Sequence, residues 1–217
     1  MNYLITQATY HDIEIGLFHN STCKKKISIQ KIEACSSLAT TINQLLKEFN
    51  SSFSDLSFMG ASQGPAPFTT LRVLISTLNG FAFAQNIPLV GIDGLKAFYT
   101  AVENNHKTPV ILLNAFNKDV YFAYKKDTTV ITGWENIFTL LETLKNELSH
   151  PINFLGNGTD LFKKEILEVF GKNALSEPEA LTHTPLETLA QLALNKFKNN
   201  ETTKQLSPLY LKTIKLL

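Results

Sequence analysis

The sequence has few of the residues that cross-link a chain, hold metals or attract polyanions. Its 217 residues include two cysteines, Cys23 and Cys35, and neither stands in a CxxC or a His-paired spacing. This argues against a disulfide framework and a zinc site, and we expect free thiols. Basic and acidic residues nearly cancel, 20 against 19, which gives no general attraction to nucleic acid. The lysine run at 24–26 is interpreted as a solvated strand end or turn.

Membrane and export signals are lacking as well. No apolar run approaches the ~18 residues of a membrane span. The first residues, MNYLITQATYHD, have neither the charged start nor the apolar stretch of a signal peptide. We therefore expect a cytoplasmic protein without a membrane partner.

Recognisable catalytic spacings are absent too. The sequence has no GxxxxGK[ST] phosphate loop, no GxSxG elbow around Ser62, and no HxxxH or HExxH pair. The five histidines are scattered at His11, His19, His106, His150 and His183. We predict no metal site, no cofactor and no catalytic residue.

The hydrophobic pattern, by contrast, is strong and repeats. Hydrophobic residues make up 44% of the chain and charged residues 18%, as in a soluble globular protein. Residue periodicity predicts strands at 3–6, 12–18, 25–30, 57–61 and 89–92, and helices at 34–49, 69–85 and 94–103. In the second half it predicts strands at 110–115, 120–124, 130–132, 152–155 and 173–175, and helices at 135–148, 161–170 and 185–197.

Both halves thus give the order β-β-β-α-β-α-β-α. We predict an α/β fold of duplicated, ribonuclease-H-like β-β-β-α-β-α units, the architecture of the actin/Hsp70/sugar-kinase superfamily. The two subdomains are predicted at 1–104 and 105–217, with the break near 104–108. Ser36 or Ser37 is expected to cap the first helix and Thr184 the last, with Pro185 at its first helical position.

The helix at 69–85 is apolar on more than one side. One face carries the residues expected to pack on the sheet, namely Leu71, Leu74, Ile75, Leu78, Phe81 and Ala82. A second strip of small or medium residues carries Val73, Thr77, Gly80 and Ala84. Such a strip allows another helix to approach closely, and that helix belongs either to the same chain or to a partner.

The loop before this helix carries a motif. Gly64-Pro65-Ala66-Pro67-Phe68-Thr69-Thr70-Leu71-Arg72 resembles the G-P-G-S-F-T-G-L-R signature of the TsaB (YeaZ) family. The segments 5–9, 87–92, 114–121 and 208–212 resemble the family's I-D-T-A-T, I-P-L-[IV]-G-[IV], D-A-R-x-x-E-V-Y and P-x-Y-L-R motifs in the same order. The resemblance spans essentially the whole chain.

The resemblance implies a non-catalytic subunit of the bacterial machinery that makes N6-threonylcarbamoyladenosine at position 37 of certain tRNAs. The implied partners are a TsaD-like catalytic subunit, a TsaE-like ATPase in a larger complex, and a second copy of the chain; tRNA is contacted only indirectly. Pairing is expected through the helices at 36–49 and 69–85. The expected partner-binding residues are Arg72, Val73, Ser76, Thr77, Gly80, Ala84, Thr40, Asn43 and Lys47, beside the motif-loop residues Gly64, Pro65, Phe68 and Thr69.

The chain also departs from the family pattern. Thr6 and Asn114 stand at two aspartates, and neither supplies the negative charge that a divalent ion requires. Ala66 and Thr70 replace glycines, and Phe116 replaces an arginine. Two alternatives remain: a small-molecule kinase or ATPase of the same fold, which would need those carboxylates, and a self-associating dimer with no partner role.

Overall fold

The fold is described from a computed structural model covering residues 1–103, 107–148, 151–171, 174–175 and 181–212. It contains ten strands and seven α-helices within those residues. The strands are β1 (Asn2–Ala8), β2 (Asp12–His19), β3 (Thr22–Gln30), β4 (Leu56–Ser62), β5 (Leu89–Ile92), β6 (Thr108–Asn114), β7 (Asp119–Lys126), β8 (Thr129–Asn136), β9 (Ile152–Leu155) and β10 (Ala174–Leu175). The helices are α1 (Ala34–Glu48), α2 (Phe68–Gln85), α3 (Gly94–Val102), α4 (Ile137–Glu147), α5 (Asn157–Leu161), α6 (Lys163–Phe170) and α7 (Leu186–Lys198).

The predicted repeat is confirmed by two sheets with the same topology. One sheet has the order β3-β2-β1-β4-β5 and the other β8-β7-β6-β9-β10. In each sheet the first three strands of the repeat pair antiparallel and the last two join in parallel. The fold is therefore a duplicated β-β-β-α-β-α unit.

The chain forms two compact units whose limits differ from the midpoint of the sequence. Unit 1 comprises Met1–Gly94 and Pro185–Leu209, and unit 2 comprises Leu95–Thr184 and Tyr210–Leu217. The segment with α7, which the sequence division assigns to 105–217, packs on β1, β4 and β5 of unit 1. The division at 104–108 remains a prediction about the repeat, and 104–106 lie outside the described residues.

Unit 1 buries its sheet on both faces. Leu4, Ile13 and Ile15 share a core with α1 and α2, whereas Gly16 and Gly60 face α7, where an added Cβ would meet Leu186 and Ala193. The alternating pattern at 12–18 predicts a half-buried strand, but residues 13–18 of β2 are all buried. The second helical layer explains the difference.

Full burial of β2 brings one carboxylate inside the unit. Glu14 is 6% exposed, and its Oε2 accepts a hydrogen bond from Gln7 Nε2 at 2.6 Å. Lys26 Nζ lies 2.7 Å from Glu14 Oε1. A buried charge needs such partners, because desolvation without them is costly.

Four local predictions are wrong. The residue capping α1 is Glu33, and Ser36 and Ser37 instead donate their hydroxyls to the Glu33 carbonyl from within the first turn. α7 begins at Leu186, so Pro185 occupies the N-cap position in place of the first helical position, and Thr184 precedes the cap. Phe49, the last residue of the helix predicted at 34–49, lies beyond the end of α1 and is 40% exposed. The helix predicted at 161–170 is divided at Phe162 into α5 and α6.

Candidate partner-binding surface

The motif loop between β4 and α2 is fixed by bonds within unit 1. Gly64 precedes a cis peptide bond to Pro65 and has φ +104°, a conformation that favours glycine. Its carbonyl accepts a hydrogen bond from Gly94 N at 2.9 Å. Gln63 is held at both ends, because its Nε2 donates to Ser207 O at 2.7 Å and its carbonyl accepts from Leu209 N at 2.8 Å. Gly64 is therefore a buried structural turn.

The second half of the motif belongs to a surface. Phe68 and Thr69 form the first residues of α2, and both are exposed. They line a shallow depression at the start of α1 and α2 together with Cys35, Arg72, Val73, Ser76 and Thr77. The structure thus separates Gly64 and Pro65 from Phe68 and Thr69.

The predicted core face of α2 is largely confirmed. Leu71, Leu74, Ile75, Leu78 and Ala82 are buried, and Phe81 is half-buried against Phe53, with ring centroids 4.5 Å apart. The exposure of the second strip, Val73, Thr77, Gly80 and Ala84, increases along the helix. Val73 and Thr77 are half-buried, whereas Gly80 and Ala84 are exposed. A Cβ added at Gly80 would meet no described atom within 4 Å, so no described helix of this chain covers that end of the strip.

The residues predicted on α1 occupy a neighbouring surface. Thr40, Asn43 and Lys47 are all exposed, and their spacing of three and four puts them on one side of the helix. Among the residues that line the depression, Cys35 is the one that belongs to α1. We define the outward face as the exposed side of α2 (Phe68, Thr69, Arg72, Ser76, Gly80, Phe83 and Ala84) with Thr40, Asn43 and Lys47 of α1.

Phe83 is the residue of this face that the sequence prediction missed. Its side chain is 91% exposed, and it lies about 20° from Arg72 around the helix at 100° per residue. The 18 residues of α2 include a single charged side chain, Arg72. A phenylalanine in so apolar a helix is readily assigned to the core, and only its angular position away from Leu71 and Leu78 would have identified it.

Thr6 and Asn114, which replace the two aspartates of the family pattern, both make hydrogen bonds within the fold. Thr6 is fully buried and donates its hydroxyl to Gly60 O at 3.3 Å. Asn114 Oδ1 accepts from Phe116 N at 2.8 Å, and Asn114 N donates to Asn157 Oδ1 at 3.1 Å. These bonds organise the turn after β6, where Phe116 is 58% exposed at φ +61°. Ala66 is half-buried and Thr70 is buried in the first turn of α2.

The described residues provide neither a cluster of metal ligands nor a membrane-spanning helix. Those residues contain no group of three or more His, Cys, Asp or Glu side chains that could hold a metal ion. Of the five histidines, His106 and His150 lie outside the described residues. Within the same ranges no helix combines the length and apolarity needed to cross a membrane.

Two sheets of identical topology, each with its own helices, define the actin-like class of two-subdomain α/β proteins. The Lmo2764 protein of Listeria monocytogenes, a proposed N-acetylmannosamine kinase, shares this fold with a TM-score of 0.55 at 10% identity, over 93% of this chain and 100% of its own. A closer structure is a Pseudomonas aeruginosa protein described as similar to peptidase YeaZ. Its TM-score is 0.73 at 17% identity, over 97% of this chain and 99% of its own.

Within this class the sequence identifies the family. The profile described as TsaD, tRNA N6-adenosine threonylcarbamoyltransferase, matches residues 34–214. A curated relative is the tRNA threonylcarbamoyladenosine biosynthesis protein TsaB of Buchnera aphidicola subsp. Baizongia pistaciae. It is 26% identical over 172 residues, which are 71% of this chain and 74% of the relative. The chain belongs to the TsaD family, in its TsaB (YeaZ) branch.

Proposed function

We propose that this chain is a non-catalytic subunit in the biosynthesis of threonylcarbamoyladenosine in tRNA, and that it binds a TsaD-type catalytic subunit through the outward face. The names of its relatives support the pathway. The observation that carries the partner role is the exposed apolar side of α2, with Phe83 at 91% exposure and Gly80 open to a crossing helix.

The chemistry of this face favours a protein partner. Large exposed aromatics with a single arginine and small neighbours resemble the centre of an association surface, where aromatic residues and arginine are enriched and acidic residues depleted. A stable complex typically covers about 800 Å² on each partner. We assign this contact to the outward face of α1 and α2, together with the depression beside Cys35.

The absence of two carboxylates supports a non-catalytic role. Thr6 and Asn114 are neutral and are engaged by backbone or amide groups, so neither position offers a charged ligand for a magnesium-bound nucleotide. We therefore propose that catalysis belongs to the partner subunit. A TsaE-type ATPase completes the proposed complex, and tRNA reaches it through the catalytic subunit. The proposed location of the complex is the cytoplasm.

Reconstitution tests this function. The purified chain, the catalytic subunit from the same organism, the TsaE-type ATPase, tRNA and threonylcarbamoyl-adenylate are combined, and both complex mass and modified adenosine are measured. We expect a complex of defined mass and modification that depends on this chain. Normal modification without the chain, or magnesium-dependent ATP turnover by the chain alone, would refute the proposal.

A further inference from the structure

Strand β8 forms one edge of the sheet in unit 2. Its eight residues, Thr129–Asn136, pair with β7 in an unbroken antiparallel register, and no other segment of the described chain pairs with it. The strand contains no lysine and no proline, and it includes Val130, Ile131 and Trp134, which favour strands. The backbone donors and acceptors along such an edge can bind a further strand.

The other sheet edges in the described part of the chain differ from β8. The pairing of β3 with β2 is interrupted by a register shift between Leu17 and Phe18. β5 is bridged by Thr203, which exchanges two backbone hydrogen bonds with Leu89. β10 consists of two residues. Interruption, coverage or brevity limits pairing at these edges, whereas β8 is long and regular.

A glycine on β8 makes room for a side chain from another strand. Gly133 lies opposite Phe122 of β7, and a Cβ added to Gly133 would lie 2.9 Å from Cζ of Phe122. The ring of Phe122 therefore extends over Gly133, and it remains half-exposed there. A side chain opposite Gly133 on an added strand would cover this ring.

The sequence of β8 complements itself about Thr132. Residues directly opposite each other in an antiparallel pair point to the same side of the sheet, so a twofold axis can pass through Thr132 and set it opposite its own copy. Ile131 then faces Gly133 of the second copy and covers the ring of Phe122 there. Moving the axis by one residue to Gly133 would set two glycines opposite each other and lose this contact.

The other pairs of this register are also complementary. Val130 faces Trp134, which pairs a β-branched with an aromatic side chain, and two threonines meet on the axis; both kinds of pair stabilise sheets. Thr129 faces Glu135, the single charged residue of β8. The register therefore sets no like charges opposite each other.

We propose that β8 of a second copy of this chain adds to this edge in antiparallel orientation, with Thr132 on the twofold axis. The pairing joins two five-stranded sheets into one, and it closes at two copies because each copy uses the same edge. β8 belongs to unit 2 and contains none of the residues of the outward face. The inference therefore goes beyond the proposed function and does not rest on it.

A charge on the axis tests this register, because a residue there meets its own copy. Thr132→Lys sets lysine against lysine and Thr132→Glu sets glutamate against glutamate, so each alone should pair about tenfold or more weakly than wild type. An equimolar mixture of the two variants should pair again, since lysine then faces glutamate. Thr129→Lys is the matched control, because it places the same new charge opposite Glu135 and should strengthen pairing at low salt.

Trp134 reports the contact, because it is the single tryptophan of the chain and lies on β8. Its fluorescence is recorded while each protein is diluted, and we expect the wild-type emission to shift to longer wavelength as Trp134 becomes exposed. Sedimentation equilibrium gives the mass of the same variants in chains that also carry Gly80→Leu, which removes pairing through the outward face. Circular dichroism shows that each variant is folded.

Three outcomes would overturn the pairing. The first is wild-type emission, and a mass in the Gly80→Leu chain, that do not change with concentration. The second is a mixture of folded Thr132→Lys and Thr132→Glu that pairs no better than either variant alone. The third is a Thr129→Lys variant that pairs more weakly than wild type, and this result decides the register even if a charge at Thr132 unfolds the chain.

Discussion

The guanidinium of Arg72 lies over the ring of Phe68, with Cζ 3.5 Å from the ring centroid. The two residues are four positions apart in the first turns of α2, and both side chains border the depression beside Cys35. A cation held over an exposed ring contributes about 0.5–1 kcal/mol. The pair therefore presents a preorganised aromatic and cationic surface to a partner.

Replacing Arg72 should weaken partner binding, and more so when the charge is reversed than when the planar group alone is lost. Arg72→Lys keeps the charge but loses the planar group that stacks on Phe68, so we expect a loss of a few-fold in affinity for the catalytic subunit. Arg72→Glu should lose more. Titration calorimetry measures both. A double-mutant cycle with Phe68→Ala, measured as free energies of unfolding of the free chain, gives the coupling between Arg72 and Phe68. A coupling free energy of zero would show that the stacking does not stabilise the chain.

Gly80→Leu should separate pairing from folding. The position is exposed in mid-helix and has room for a Cβ, and leucine is a better helix former than glycine by roughly 0.8 kcal/mol. The variant should therefore melt at or above the wild-type temperature, yet lose self-association through the outward face and binding of the catalytic subunit. Circular dichroism and analytical ultracentrifugation measure the two effects.

Gly80→Ala is the control for this change. It gains about 1 kcal/mol of helix propensity but adds only a methyl group, so pairing should be weakened far less than by leucine. A Gly80→Leu chain that is folded and pairs as tightly as wild type would place the association surface elsewhere.

The reactivity of Cys35 can report whether a partner covers the depression at the start of α1 and α2. It is exposed at the depression, whereas Cys23 is half-buried on β3. Burial, and then the charge of Glu187, raise the pKa of the Cys23 thiol, which lowers its reactive thiolate fraction. In the free chain, iodoacetamide should modify Cys35 faster than Cys23, and saturating catalytic subunit should slow Cys35 selectively. Mass spectrometry follows both rates, and unchanged Cys35 labelling in a saturated complex would exclude the depression from the interface.

A tyrosine in unit 2 predicts a loss of stability in alkali. The Tyr124 hydroxyl donates to Glu147 Oε2 at 2.9 Å, and burial, followed by Glu147, raises the pKa of Tyr124 to about 12. The unfolded chain releases this proton near a pKa of about 10. The contribution is complete below pH 10 and is lost as the pH rises toward 12. Urea unfolding of Tyr124→Phe across this range should show a shallower decline, and curves parallel to wild type would contradict the assignment.

The same site predicts the opposite dependence in acid. Hydrogen bonds from Lys126 and then Tyr124 lower the pKa of Glu147, with Lys126 Nζ 2.8 Å from Oε1. Because the folded-state pKa is lowered, ionised Glu147 stabilises the fold fully above the unfolded pKa of about 4.3. This contribution is lost as the pH falls from that value through the lowered folded-state pKa. In Glu147→Gln the free energy of unfolding should therefore fall less in acid than in wild type. Part of its decrease in alkali should remain, because burial still raises the pKa of Tyr124.

Much of the fold could be predicted because its elements have clear periods. β5 and β9 have the predicted bounds, and most others differ by a few residues. The failures came from tertiary context. The pattern of β2 cannot show that α7, more than 160 residues later, packs against its second face at Gly16.

The candidate site was predictable in part. The strip containing Gly80 and Ala84 follows from helical spacing, and the structure leaves both residues exposed. Phe83 was not predicted, because hydrophobicity alone assigns it to the core. The roles of these residues in binding remain predictions that the experiments above decide.

Lys24, Lys25 and Lys26 make the outer edge of unit 1 a poor template for fibril growth. They lie in mid-strand on β3, the first strand of the order β3-β2-β1-β4-β5, and all three are exposed. A second β3 aligned antiparallel about Lys25 would set lysine directly against lysine, which destabilises strand pairing. This edge is thereby protected against polymerisation, so a chain that exposes an apolar helical face can still avoid aggregation through this sheet.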